Sequence, residues 1–355
     1  MDIVLNANED YMKYLAVLCW SIVEKAKSSG RGGGIEFRED KSPAFCFHIL
    51  TDAISPQMRE KFSAFELELK AVYPCSFCFY VVESKLFESF RELNGNHLTY
   101  FRLKMAEILP QEIKRCLYLD VDMLCVSDLR EIFTLDLKGK LCGAVLDAHY
   151  LPYRGVSSRD PQKEEIALKL ETYFNAGMML IDLEQWRQKE IGKRSFELLR
   201  FYDPTWHDQD TLNAILSEDV LLLPMKWNFM LGHFLFPRLR FVGSGASKKK
   251  MYFGANEQFC GVLTCSKEEY LQAREEMKIL HFLTSLKPWS QGDFCEQRAS
   301  SLFIQYKKQW WDKAIETPIF GEEFAQLYDI ALQEPCTLSW RDKILFQFKK
   351  YCKAF

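Results

Sequence analysis

The sequence predicts an α/β fold built on a mostly parallel sheet covered by helices on both faces. Three observations carry this. Over roughly the first 180 residues, short apolar runs alternate with segments of helical period. Several runs, such as residues 116–119, are apolar throughout, as strands buried on both faces are. The chain is also long, 355 residues with 48% apolar and 27% charged side chains, so it can bury a large core. That composition excludes a wholly disordered or fibrous protein.

In chain order, residues 2–6 read as a buried strand and 10–27 as a helix with Tyr14, Leu15, Leu18 and Ile22 on one face. Ser28-Ser29-Gly30-Arg31-Gly32-Gly33-Gly34 reads as a loop, but no Gly-Lys-Ser/Thr follows to make it a phosphate-binding P-loop. A strand at 45–51, a helix at 55–70 and a strand at 77–82 come next. Residues 98–108 read as a helix that stops before Pro110. Strands follow at 116–119, 142–146 and 177–181. Beyond about residue 235 the pattern weakens, leaving a loop at 243–250 and a charged helix at 266–278. No internal repeat is present.

Forty-six basic residues against 49 acidic ones give a net charge of −3, which argues against nucleic acid as a partner. Aromatic residues reach 14%, which suits a large core and a site that stacks rings on a ligand. The N-terminus has no basic leader, and no uncharged stretch approaches the roughly 18 residues a spanning helix needs. Most of the 12 cysteines sit singly in apolar runs and are expected to be reduced, buried thiols. Cys75-Ser76-Phe77-Cys78 has two-residue spacing, but without a second pair or a nearby His it reads as core rather than zinc or redox chemistry. The expectation is a reduced, cytosolic protein.

The strongest chemical signal is Leu117-Tyr118-Leu119-Asp120-Val121-Asp122, an apolar strand ending in two carboxylates one residue apart. In extended backbone such residues point to the same side and can reach one cation. The carboxyl end of a strand is where open α/β sheets bind ligands. Two hard oxygen ligands suit Mn²⁺ or Mg²⁺, with diphosphate oxygens completing the shell. A solvated turn is the competing reading of so short a motif, and the surrounding segments favour the metal. In Phe174-Asn175-Ala176-Gly177, the Gly reads either as a turn or as a close approach of backbone to ligand. His207-Asp208-Gln209-Asp210 opens a helix; one Asp is a candidate N-cap, and the uncharged Gln209 amide is suited to a sugar or a forming cation. His281 is followed by Lys287-Pro288-Trp289, a lysine on a rigid turn.

Taken in order, these segments resemble glycosyltransferase family 8, the retaining enzymes of bacterial lipopolysaccharide synthesis, and in particular its lipooligosaccharide α-galactosyl- and α-glucosyltransferases. The matching elements are the opening Ile3-Val4-Leu5-Asn6-Ala7-Asn8-Glu9-Asp10-Tyr11, then Tyr100-Phe101-Arg102-Leu103-Lys104, Asp120-Val121-Asp122, Phe174 to Gly177, Asp208-Gln209-Asp210-Thr211-Leu212-Asn213, and His281 to Trp289. The resemblance covers residues 1–290 and implies a GT-A, Rossmann-like nucleotide-sugar-binding catalytic domain there, which leaves a small helical region over 291–355. It implies Mn²⁺, with Mg²⁺ as the alternative, held by Asp120, Asp122 and His281 and bridging the diphosphate of a UDP-sugar. Tyr11 would stack on uracil, with Ala7 and Asn8 at base and ribose. Arg102, Asn175, Asp208 and Gln209 would contact the donor sugar, with Val121, Asp147 and Ala176 lining the same site and Lys287 on the diphosphate. Asp208 and Gln209 would carry catalysis. Asn8 and Thr284 depart from the family, which often has an acid at the first position and usually Gly at the second.

The activity implied is retaining transfer of glucose or galactose from a UDP-hexose to a saccharide acceptor, the lipopolysaccharide core. A haloacid dehalogenase-type phosphatase and a non-catalytic sugar-nucleotide binder are the alternatives. In the last fifteen residues, Ile344, Phe348, Tyr351 and Phe355 form one apolar helical stripe. Arg341, Lys343, Lys349, Lys350 and Lys353, less Asp342, give that segment a net charge of +4. A helix docked on the domain is one reading. An amphipathic tail lying on the anionic inner face of the cytoplasmic membrane is the other and the one preferred, making the enzyme peripheral there.

Overall fold

The structure, a computed structural model, describes residues 1–28, 44–92, 95–150, 155–216, 218–231, 239–242, 250–256, 259–283, 287–290 and 301–333. Its centre is a seven-stranded sheet. The strands are β1 (Asp2–Asn6), β2 (Phe45–Thr51), β3 (Cys75–Val81), β4 (Arg115–Leu119), β6 (Cys142–Leu146), β7 (Phe174–Asp182) and β8 (Val220–Leu223). Between β4 and β6 in the chain lies a short strand of a second sheet, β5 (Met123–Cys125). The order across the main sheet is β8-β6-β7-β4-β1-β2-β3. Every pairing is parallel except those of β7, which runs antiparallel to both β4 and β6.

Alternation along the strands divides two cores, as a period of two requires. Ile3, Leu5, Leu117 and Leu119 face one core; Val4, Cys116 and Tyr118 face the other. Helices α1 (Met12–Ser28) and α2 (Pro56–Lys70) contribute Leu15, Leu18, Phe62 and Phe65 to the first. Helices α3 (Phe101–Ile108), α4 (Leu183–Gln188), α5 (Ile191–Phe201) and α6 (His207–Leu216) contribute Phe101, Leu103, Trp186, Leu199 and Leu212 to the second. A fully buried Phe or Leu contributes about 2–3 kcal/mol, so both faces are strongly held. Ser55 caps α2 by accepting the Met58 N–H at 3.1 Å, and Glu9 in turn accepts the Ser55 hydroxyl at 2.6 Å, tying the loop after β1 to that helix.

Two differences from the sequence reading bear on the site. Residues 174–177 do not precede a strand beginning at 177; they belong to β7, whose pairing with β6 shifts register between Phe174 and Met179. That irregularity releases Asn175, Ala176 and Gly177 from the ladder. Asp120-Val121-Asp122 is a turn rather than extended backbone, so its two carboxylates converge by chain reversal into β5, not by strand alternation.

The second sheet contains β5, β9 (Phe229–Met230) and β10 (Ile279–His281), with His281 in register with both Met123 and Met230. A further antiparallel sheet of Leu239–Val242, Lys250–Asn256, Phe259–Leu263 and His149–Tyr150 was not foreseen, since its short strands show no regular alternation. The expected charged helix is α7 (Lys267–Glu275), opened by a capping box between Ser266 and Glu269.

Trp310 and Trp311 of α8 (Ser301–Ile315), Phe324 of α9 (Gly321–Gln333) and Phe320 between the two helices join the core of α1 and α2, so these helices share the core on that face of the main sheet. Thr284, the 243–249 part of the expected loop and the 341–355 tail lie outside the described residues. Among the described residues no helix is long and apolar enough to cross a membrane, and the cysteines are free thiols.

Candidate active site

The site lies where β1 and β4 end, and its parts are brought there by the two sheets. Asp120 leaves β4 with its N–H donating to the Gly177 carbonyl at 2.7 Å, which fixes the turn against β7. The turn carries Asp122 into β5, whose pairing with β10 puts His281 beside it; the Phe282 N–H donates to the Asp122 carbonyl at 2.9 Å. One ligand atom from each of Asp120, Asp122 and His281 falls within 4.8 Å of the others.

His281 is completely buried, and its Nδ1–H donates to Asn228 Oδ1 at 3.0 Å. An amide oxygen only accepts, so the neutral ring carries its proton on Nδ1 and presents the Nε2 lone pair. That buried Nε2 has no hydrogen-bond partner and lies 3.2 Å from Asp122 Oδ1. A lone pair aimed at a carboxylate leaves a place for a cation, a proton or a metal ion, between them. The donor set fits a metal for this reason; two carboxylates and one imidazole suit Mn²⁺ better than Mg²⁺. Glycine at 177 is required by the same crowding. A Cβ there would stand 2.6 Å from the His281 ring and 2.7 Å from Asp120 Oδ2.

Charge is unevenly shared around this corner. Buried Arg102 donates to Asp120 Oδ1 at 2.7 Å and to the Ala176 carbonyl at 2.6 Å, pairs with Asp208 at 3.0 Å and lies over the Tyr118 ring. One guanidinium thus serves two carboxylates. Burial pushes the Asp208 carboxyl up to about 7 despite Arg102. For Asp122, burial acts in the same direction, but the Lys287 ammonium beside it outweighs this and holds the carboxyl well below its usual range. Lys287 pairs with Asp122 and donates to the Phe282 carbonyl at 3.2 Å. Its turn is rigid because Trp311 Nε1 donates to the Pro288 carbonyl at 2.9 Å and Trp289 stacks on Tyr14 at 4.1 Å.

A second corner is made of amides. Gln209, in the first turn of α6, takes the Asn175 amide at 3.0 Å and the Ala176 N–H at 3.1 Å on its oxygen. Its Nε2 donates to Asp147 Oδ2 and to the Tyr173 hydroxyl, both at 3.0 Å. Tyr173 in turn donates to Asp210 at 2.7 Å, and Asp210 accepts the Trp206 N–H at the helix start. Asn213 bridges the Phe174 backbone N–H and carbonyl, both at 2.9 Å, and so fastens α6 to β7. Asn228 joins the corners, donating to Asn175 Oδ1 at 2.9 Å while holding His281.

The structure therefore brings together Arg102, Asp120, Val121, Asp122, Asp147, Asn175, Ala176, Asp208, Gln209, His281 and Lys287. Ala7, Asn8 and Tyr11 stand nearby on the loop after β1, with the 37% exposed Tyr11 ring edge-on to Trp289 at 6.0 Å. The Ala7 N–H donates to Leu50 O and Asn8 Oδ1 accepts the Tyr11 N–H, so both are already engaged in shaping that loop. Sequence reasoning missed Asn228, whose flanks carry no motif, Tyr173, which stands just before one of the segments singled out, and the role of Asn213, unassigned inside another.

Comparison with known proteins agrees with this geometry. Residues 2–292 match glycosyl transferase family 8. General stress protein A of Bacillus subtilis is 25% identical over 82% of this chain and 87% of its own length. A lipopolysaccharide 1,3-galactosyltransferase of Salmonella typhimurium is 29% identical over 52% of this chain and 54% of its own. Among solved structures, the galactosyltransferase LgtC with donor and acceptor sugar analogues superposes with a TM-score of 0.63, at 24% identity, covering 92% of this chain and all of LgtC. The phosphatase and non-catalytic alternatives find no support among these matches. The fold is that of LgtC, and by the family match over most of its length this chain is a member of glycosyl transferase family 8.

Proposed function

We propose that this chain transfers glucose or galactose from a UDP-sugar to a saccharide hydroxyl of a lipopolysaccharide core, with retention of configuration. The observation that carries the reading is the unpartnered His281 Nε2 facing Asp122 beside Asp120, within reach of a fully bonded sugar-binding amide corner. Relatives named as lipopolysaccharide galactosyl- and glucosyltransferases support the acceptor class. Asp120, Asp122 and His281 would hold Mn²⁺, which supplies charge neutralisation at the UDP leaving group. Lys287 adds a second positive charge there, while Tyr11 offers its exposed ring to uracil.

Gln209 is best suited to stabilise positive charge on the sugar. Its oxygen already accepts two hydrogen bonds, so it is poorly placed as a nucleophile. Same-face attack follows, with the departing phosphate oxygen taking the acceptor's proton. Asp208 and Arg102 orient the donor from the side of β4. A panel of UDP-sugars with Mn²⁺, scored by UDP release, tests the proposal. Turnover of UDP-glucose or UDP-galactose is expected; failure of both with success of another nucleotide sugar overturns the donor class.

The basic, aromatic tail supports peripheral attachment to an anionic membrane, where a lipid-linked acceptor would lie. Deleting residues 341–355 is expected to abolish sedimentation with anionic vesicles while sparing turnover on a soluble acceptor. Retained vesicle binding would remove the tail from this role.

A further inference from the structure

The sheet carries a second cluster of ligating side chains, away from the end where donor binding is placed. Cys46 and His48 on β2 and Cys78 on β3 share a face, because residues two apart in a strand point the same way and His48 is in register with Cys78. One ligand atom from each lies within 4.8 Å of the others, one of two such groups among the described residues. The two sulfurs are 3.9 Å apart. In a tetrahedral site with zinc–sulfur bonds of about 2.3 Å, the sulfurs stand about 3.8 Å apart, so the pair already has the needed spacing. The two-residue spacing in the sequence would have paired Cys78 with Cys75. Three residues apart on a strand, those two face opposite sides, and Cys75 is buried in the other core.

The surroundings complete the arrangement. His48 is 2% exposed, with Nδ1 3.1 Å from the Tyr80 hydroxyl and Nε2 3.0 Å from Asp2 Oδ1. Whichever nitrogen turns to a cation, the other keeps a polar partner that fixes the ring, as metal-bound histidines require. Cys46 and Cys78 are only partly buried, so solvent can deliver an ion. Asp2 opens β1, while the loop bearing Asn8 and Tyr11 follows the other end of that strand, which separates this cluster from the Asp120 corner.

We propose that Cys46, His48 and Cys78 form a binding site for a soft divalent cation, zinc, with water as the fourth ligand. Both thiols give their protons to solvent and bind as thiolates, neutralising the ion's charge. Burial disfavours a charged His48, but Asp2 and Cys46 outweigh it and raise the imidazole to about 9; loading therefore releases its proton too. The ion would clip the edge strand β3 to β2 and, through Asp2, to β1.

Cobalt(II) titration of the reduced full-length chain tests this, since only a thiolate site gives sulfur-to-cobalt charge-transfer absorption. One equivalent is expected to produce that band and tetrahedral ligand-field bands, with zinc abolishing both. The signal should persist in Asp122→Ala and vanish in the Cys46→Ser, Cys78→Ser double variant, whose fold is checked by circular dichroism. A band that survives the double variant, or none in the wild type, overturns the proposal. So does a Cys46–Cys78 disulfide formed in air by a chain that, once reduced, takes up no cobalt.

Discussion

At the amide corner, Gln209, Asn175, Asp147 and Tyr173 satisfy one another. At the carboxylate corner, Asp120, Asp122 and His281 face each other with the His281 Nε2 left without a partner. The first is rigid before anything binds, as stabilising charge on a reacting sugar demands. The second gathers Asp120, Asp122 and Asp208 around Arg102 and Lys287, three carboxylates to two cations. On the proposed function, one side recognises hydroxyls and the other takes up a cation. Asn228 links them through a single side chain, so disturbance of one should be felt at the other.

The largest effect is expected where both corners meet. Gly177→Ala would drive a methyl to within 2.9 Å or less of His281, Asp120 and Asn175. Turnover should fall at least about 100-fold from displacement of the reacting geometry. Steady-state kinetics with saturating Mn²⁺ checks this, and near-normal turnover would mean the corners are not tightly coupled.

The charge imbalance has a pH signature. The Asp208 carboxyl stands at about 7 in the fold against an ordinary 3.8, so the folded state keeps a proton that the unfolded chain gives up. The metal-free chain should therefore be most stable below about pH 4 with respect to this group. It should lose up to about 4 kcal/mol as pH rises through 7. Asp208→Asn should lack that loss, which denaturant melts at pH 5 and pH 8 would compare. An equal fall in both proteins would show that Arg102 fully compensates Asp208.

Asn228→Ala removes the acceptor that fixes the His281 tautomer. Metal affinity should drop about 10- to 100-fold, the usual cost of losing such a support, read by Mn²⁺ titration. Smallest is Tyr173→Phe, which removes one of four hydrogen bonds on Gln209. At about 1 kcal/mol this is a 3- to 10-fold loss in kcat with KM nearly unchanged. A loss confined to KM would place Gln209 in ground-state binding.

The fold was legible in the sequence wherever strands were apolar on both faces. Residues 2–6, 45–51 and 142–146 were placed with their observed bounds because each is built on a run of buried apolar residues that stands out from its flanks. The antiparallel course of β7 was not legible, since direction depends on long-range pairing rather than on local composition. The carboxylate corner was legible because chemistry concentrates Asp120 and Asp122 in one turn and ends a strand on a buried His281. Asn228 was not, because its role exists only after β9 and β10 pair and bring it against the imidazole. The thiol cluster escaped for a related reason. Cys46, His48 and Cys78 lie on neighbouring strands, and their alignment is set by parallel register rather than by spacing along the chain.

The central claim is that Asp120, Asp122 and His281 hold a divalent cation for a UDP leaving group. It is tested most directly by electron paramagnetic resonance of Mn²⁺ titrated with the chain in the presence of UDP. One Mn²⁺ per chain should leave the free-ion signal with the wild type. Asp122→Ala, with its fold intact, should leave that signal unchanged. Equal Mn²⁺ uptake by the two proteins would contradict the account.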